Sequence, residues 1–263
     1  MQRRRTPTQR LLAYLTASIQ INIVVEAELL LLAFATGMQD ATTFPDYHCF
    51  ASNQTGNTVL LAVGAAGIAG SLFSLPNIGV SLGLFVAGAL IMGQLGHVVG
   101  GRRRVWLLVS NAVQTALVFA AAGLQYRGGS VVEAEGATAK GVIAMLAFSA
   151  GAQVAMARST KIAEITTAMA TAAWVDLLVD ERLLAGRNRG RNRRALFLLS
   201  LFAGSFAGAF VYQRVGSAFA LVISGVAKGV VLLAFCFNVE AGSEGVEGAS
   251  RDGKRETTGV VAV

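Results

Sequence analysis

Asp40, Asn53, Gln54, Thr55 and Asn57 stand close together in the stretch Phe34–Asn57, which reads FATGMQDATTFPDYHCFASNQTGN. A carboxylate among amides and hydroxyls at this density can ligate a cation, carry a proton or hydrogen-bond a polar solute. Asn53 precedes a helical pattern, so its side chain can cap the free N–H groups of the first turn. Gly56 instead lets a ligand approach that helix N-terminus closely, where an anion or polar group is favoured. Both readings of Asn53-Gln54-Thr55-Gly56-Asn57 stand on sequence alone. Asp46 and His48 form a carboxylate–imidazole pair two residues apart, the minimum for acid–base chemistry, but a solvated loop pair is the simpler account.

The elements that must position these residues are hydrophobic. Of 263 residues, 54% are hydrophobic and 14% charged. No Asp, Glu, Lys or Arg occurs from Tyr47 to Gly101, and further charge-free runs cover Val105–Tyr126, Gly141–Ala157 and Ala195–Gln213. A bilayer span needs roughly 20 mostly apolar residues, whereas a soluble helix carries charge on its outer face every few residues. The chain therefore reads as an integral membrane protein, with the lipid bilayer as its first partner. The polar block then becomes a candidate site, because lipid tolerates such groups only where protein or enclosed water satisfies them.

The net charge of +7 comes largely from arginines in short connections: Arg3–Arg5, Arg102–Arg104 and five between Arg187 and Arg194. Beside spans, such clusters set topology by staying cytoplasmic, and no nucleic-acid partner is needed to explain them. Two cysteines, Cys49 and Cys236, make neither a disulfide framework nor metal spacing. No cofactor motif, Walker sequence or Ser-His-Asp order is present, so no cofactor, metal or enzyme activity is expected.

An internal repeat organises the chain. Leu31–Ala41, LLAFATGMQDA, aligns with Met145–Ala155, MLAFSAGAQVA, at an offset of 114, pairing Gly37 with Gly151 and Gln39 with Gln153. At an offset of 116, Thr55 pairs with Thr171 and Ala87-Gly88 with Ala203-Gly204. Each repeat carries four hydrophobic pieces: Leu29–Phe44, Gln54–Gly70, Ile78–Gly100 and Val105–Leu124, then Gly141–Ala157, Ile165–Val179, Ala195–Tyr212 and Ser217–Phe237. If the second piece of each does not cross, six spans place the basic clusters on one side and the linker Arg127–Lys140 on the other, with only Arg214 misplaced. Seven or eight spans are the alternative if Gln54–Gly70 crosses.

The expected fold is thus an all-α, polytopic transmembrane bundle of two three-span repeats in inverted topology, each with an extra short embedded helix. Residues 1–28 form a basic cytoplasmic N-terminus with an interfacial helix, on which Leu12, Leu15 and Ile19 share a face. The first repeat covers 29–126, a linker 127–140, the second repeat 141–239 and a disordered cytoplasmic tail 240–263.

Three further features carry expectations. Gln39 and Gln153 can hydrogen-bond across the repeat axis. Lys228, near the centre of the last hydrophobic run, needs a partner, which Asp40 or Asp176 could supply. The i, i+4 glycines Gly79/Gly83, Gly96/Gly100 and Gly204/Gly208 suit close helix packing.

Gly37-Met-Gln-Asp40-Ala, Phe44 and Asn53-Gln-Thr55-Gly56-Asn57, with Gly151-Ala-Gln153 downstream, resemble the signature of the YoaK-like integral membrane family, a domain of unknown function. The resemblance covers about Leu29 to Phe237 and implies several transmembrane helices and a transporter-like role. Ala170-Thr171-Ala172 departs from the Thr-Gly expected there, so the second half-site is not equivalent to the first. The functional expectation is a permease for a small solute or ion, with a non-transporting membrane scaffold as the alternative and a membrane enzyme behind both.

Overall fold

A computed structural model describes residues 6–68, 73–128 and 133–242. Its helices are α1 (Pro7–Thr16), α2 (Ile23–Tyr47), α3 (Gln54–Ala65), α4 (Leu75–Val99), α5 (Arg104–Arg127), α6 (Ala137–Ser159), α7 (Ala170–Leu178), α8 (Arg189–Val215) and α9 (Ser217–Phe235). Among the described residues there is no strand beyond two isolated bridges, Ser18 with Arg103 and Ile19 with Glu240.

Five helices, α4, α5, α6, α8 and α9, are long and apolar enough to cross a membrane. Helix α2 is as long, at 25 residues, but carries Glu26, Glu28, Asp40 and Asp46. It can do so because it packs among the others. The arrangement is inside-out relative to a soluble bundle. Leu90, Leu199, Phe202, Phe210, Val230 and Leu233 are exposed, while Gln39, Asn111, Gln114, Gln153, Ser224 and Lys228 are buried. Apolar side chains thus face the lipid, and polar ones satisfy each other between helices.

Helices α3 and α7 have 12 and 9 residues. At 1.5 Å per residue they span about 18 and 14 Å, short of the ~30 Å hydrocarbon thickness. The Gln54–Gly70 segment therefore does not cross as a helix; its last two residues lie outside the described residues.

Hydrogen bonds between helix ends fix the directions. Asn77 at the start of α4 donates to the carbonyl of Tyr47 at the end of α2 (3.3 Å). Gln125 at the end of α5 donates to Asp46 (2.8 Å) and to Ser217 at the start of α9 (2.7 Å). These ends share one face. On the opposite face Ser159, ending α6, donates to Gly101 (2.7 Å), Arg193 of α8 donates to Glu26 (2.7 Å), and Arg104 reaches the Asn238 carbonyl beyond α9. The second face, which holds Arg102–Arg104 and Arg187–Arg194, is the basic face. Two long helices, α4 and α5, separate α2 from α6, so α6 enters from the side opposite to α2 and the two repeats run in opposite directions. Each short helix belongs to a segment that returns to the side from which its chain entered: α3 to the side where α2 ends, α7 to the side where α6 ends.

The repeats interlock through glycine. Helix α2 packs on α8, and α6 packs on α4 in the same way. A Cβ on Gly37 would lie 2.3 Å from the Leu201 oxygen, and one on Gly151 would lie 2.1 Å from the Phe85 oxygen. These backbones therefore touch, as small residues at a crossing allow. Gly208 is packed likewise on Met38. Three other expected packing glycines behave differently. Gly79 and Gly83 have nothing within 4 Å, and Gly100 ends α4 at φ 102°, a left-handed conformation that suits glycine.

Several boundaries shift. The expected N-terminal segment to residue 28 already contains the start of α2, capped by Asn22 on the Val24 and Val25 amides. Within that segment α1 opens with a Thr6–Gln9 capping box and exposes Leu11 and Leu12, but Ile19 is buried and bridged to Glu240 rather than sharing their face. Pro45, by type a helix stop, sits inside the last turn of α2, which ends at His48 in a left-handed conformation (φ 54°). Asp46 is correspondingly buried in the helix rather than solvated beside His48. Most of the expected tail, from 243 onward, lies outside the described residues.

Candidate functional site

Both short helices begin at one cavity of about 810 Å³. The first repeat contributes Asp40, Phe44, Phe50, Ser52 and the opening residues Asn53, Gln54 and Thr55 of α3. The second contributes Met169, Ala170, Thr171 and Ala172 at the opening of α7, with Ser205 and Phe206 of α8. The sequence folds this way because neither break can continue a span. After α2 the segment from His48 to Asn53 turns back along the helix, and Ser52 donates to Asp40 Oδ1 through its amide (2.8 Å) and to Oδ2 through its hydroxyl (2.5 Å). Asp40 precedes the end of α2 by seven residues, about 10 Å of helix. The start of α3 is thereby drawn below the surface of the bundle.

Asn53 accepts a hydrogen bond from the Gly56 amide (3.1 Å), so it is the N-cap of α3. Helix α7 has no side-chain cap; Thr166 accepts from the Met169 amide (3.1 Å) just before it. Two helix N-termini, one from each repeat, thus present their positive dipole ends to the same space. The Phe44 and Phe50 rings stack with centroids 4.6 Å apart and form an aromatic wall.

Asn57 and Gly56 lie behind this surface. Asn57 is fully buried; it accepts from the Phe50 amide (2.9 Å) and donates to the Phe50 carbonyl (2.8 Å), Gln54 Oε1 (2.9 Å) and Ser81 Oγ (3.0 Å). Gly56 packs under the Phe50 ring, where a Cβ would lie 3.0 Å from the nearest ring carbon. These two hold the loop that lines the cavity.

Gln39, Gln153 and Lys228 form a separate, closed cluster. The Lys228 ammonium donates to Gln153 Oε1 and to Gln114 Oε1 (3.2 Å). Gln153 donates onward to Thr36 Oγ1 (2.8 Å), and Gln39 donates to Ser224 Oγ (2.7 Å). The two glutamines therefore tie the repeats together without touching each other. Lys228 has amide partners rather than a carboxylate: Asp40 is held by Ser52, and Asp176 sits on the basic face 3.9 Å from Arg194.

The expected site residues thus separate into three groups. Asp40, Asn53, Gln54, Thr55 and Thr171 come together at the cavity. Gly56 and Asn57 support it. Gln39, Gln153 and Lys228 lie apart in the bundle core. Sequence reading passes over Ser52, Ser205 and Phe206. Ser205 follows the repeat-matched Gly204, a neighbour that offers the one available signal; Ser52 has none. Among the described residues no group of three or more His, Cys, Asp or Glu side chains could hold a metal.

The family described as "Protein of unknown function (DUF1275)" matches residues 29–234, most of the chain. No curated protein and no solved structure matches it.

Proposed function

We propose that this chain, which belongs to the DUF1275 family, is a permease for a small solute that binds in the cavity between α3 and α7. The observation that carries this reading is the meeting of two interrupted helices, one from each inverted repeat, at one cavity. Secondary transporters place their sites at such breaks because helix ends can bind charge or polar groups inside a membrane, and because opposed repeats can rock about a fixed point. The aromatic wall beside Gln54, Thr55 and Thr171 suits a solute with an apolar body and hydrogen-bonding groups. A bare cation fits less well, since both Asp40 oxygens already accept from Ser52. Under the positive-inside rule the basic face, which holds Arg102–Arg104 and Arg187–Arg194, is cytoplasmic.

A non-transporting scaffold is the second reading. It is favoured by Gly79 and Gly83, which leave open space on α4 where another helix could approach. Acid–base catalysis has less support, because Asp46 is engaged by Gln125 and does not line the cavity.

Accessibility from the two sides separates the readings. In a Cys49→Ala/Cys236→Ala background, Thr55→Cys and Thr171→Cys are labelled in proteoliposomes with a membrane-impermeant maleimide added outside or trapped inside. A permease gives labelling of both positions from both sides. Labelling from one side alone, or from neither, overturns transport through this cavity.

A further inference from the structure

A second cavity, of about 550 Å³, opens where α4 and α6 end and α5 begins on the basic face. We infer that it binds the headgroup of an anionic phospholipid, its phosphate held by Arg103, Arg158 and Lys161 and its glycerol end lying on the Trp106 ring.

Charge is the first argument. Arg102, Arg103, Arg158, Lys161 and His97 line this cavity, and no carboxylate does. Elsewhere on the same face arginines are neutralised: Arg189 and Arg193 by Glu26, Arg193 also by Glu164 (3.4 Å), and Arg194 by Asp180 (3.2 Å). Arg103, Arg158 and Lys161 make no ion pair among the described residues. Three uncompensated cations around one hollow form an anion site, and basic hollows between spans at the cytoplasmic end are where phospholipid headgroups bind.

An unpaired donor is the second argument. Trp106 is only 3% exposed, and its indole Nε1–H has no hydrogen-bond partner. The ring packs against Gly96, which also lines the cavity; a Cβ there would lie 3.1 Å from Nε1. A buried donor without an acceptor costs about 1–3 kcal/mol, and a headgroup oxygen would supply one.

The floor decides between a lipid and free phosphate. Met92, Gly93, Gly96 and Ala155 make it apolar, and α4 continues past it with the exposed Leu95 and Val98. Inorganic phosphate would leave that floor uncovered, whereas a phospholipid covers it with glycerol and the first acyl carbons.

Native mass spectrometry of the full chain, purified with equal amounts of phosphatidylglycerol and phosphatidylcholine, tests this. One phosphatidylglycerol per chain should be retained in preference. Arg103→Gln/Arg158→Gln should lower its retention about 30-fold, and Trp106→Phe severalfold with the fold intact. Arg182→Gln/Arg187→Gln removes the same charge from the same face outside the cavity and should change nothing. If the first double variant is not monodisperse, Arg158→Gln alone, at an exposed position, should still lower retention about fivefold. Equal retention of the two lipids, or equal losses in the two double variants, overturns the site. Displacement of phosphatidylglycerol by millimolar inorganic phosphate, with phosphate binding equally well without lipid, overturns the lipid as its occupant.

Discussion

Gly88 and Gly204 make the same contact in opposite repeats. A Cβ on Gly88 would lie 2.3 Å from the Phe148 oxygen, and one on Gly204 would lie 2.0 Å from the Phe34 oxygen. Phe34 and Phe148 are themselves matched by the repeat, so a pseudo-twofold relation governs these two close crossings of the bundle. Backbone lies on the far side of each contact and cannot swing away as a side chain could. Gly88→Ala and Gly204→Ala should each destabilise the protein by about 1–3 kcal/mol or more. Gly79→Ala, which meets nothing within 4 Å, should leave it unchanged. Thermal unfolding followed by size-exclusion fluorescence reads both, and equal behaviour of Gly79→Ala and Gly204→Ala would contradict the packing.

Lys228 stands 114 residues after Gln114, the offset that relates the first helices of the repeats, and its ammonium contacts that glutamine (3.2 Å). An ammonium without a carboxylate partner in mid-membrane costs at least about 2.5 kcal/mol, whereas glutamine can donate to the same oxygens without charge. Lys228→Gln should fold with a melting temperature equal to or above that of the native chain. A fall of several degrees would mean that the charge itself stabilises the bundle.

Much of this architecture is legible in the sequence because hydrophobic length and charge placement are properties of single segments. The charge-free runs mark four of the long helices, α4, α5, α6 and α8, and the Gly37/Gly151 and Gly88/Gly204 matches identify residues that share a packing role. Asp40 is legible as an anomaly but not as an anchor, because its partner Ser52 depends on how the loop turns back. The meeting of α3 and α7 is hidden for a related reason. Two breaks at matched positions give no distance between them until the inverted repeats are docked. Lys228 invites a search for a carboxylate, and nothing in its neighbourhood along the chain indicates that two glutamine oxygens meet it instead.

Asn57 and Thr55 are two residues apart on α3, yet the structure gives them opposite burdens. Asn57 is buried with four hydrogen bonds to Phe50, Gln54 and Ser81; Thr55 faces the cavity and is exposed. Bonds of this kind contribute about 0.6–2 kcal/mol each in membranes. Asn57→Ala should therefore cost about 2–4 kcal/mol and hasten proteolysis between Tyr47 and Gln54. Thr55→Ala should melt with the native protein. Reversed stabilities would place Asn57 in the cavity and Thr55 in the scaffold.

Asp40 separates anchoring from ligation. Its two oxygens receive the Ser52 amide and hydroxyl, and hydrogen bonds to a charged acceptor contribute about 1.5–3 kcal/mol. Asp40→Ala removes both acceptors and should destabilise the protein by about 3–6 kcal/mol. It should also speed maleimide labelling of Thr55→Cys, because the start of α3 is no longer drawn against α2. Asp40→Asn keeps one acceptor oxygen, and its effects on melting and labelling should be about half as large. The graded series follows if the carboxylate serves as a hydrogen-bond acceptor for the loop. Native melting and labelling in both variants would show that α3 is held without Asp40 and would return the carboxylate to the solute or ion.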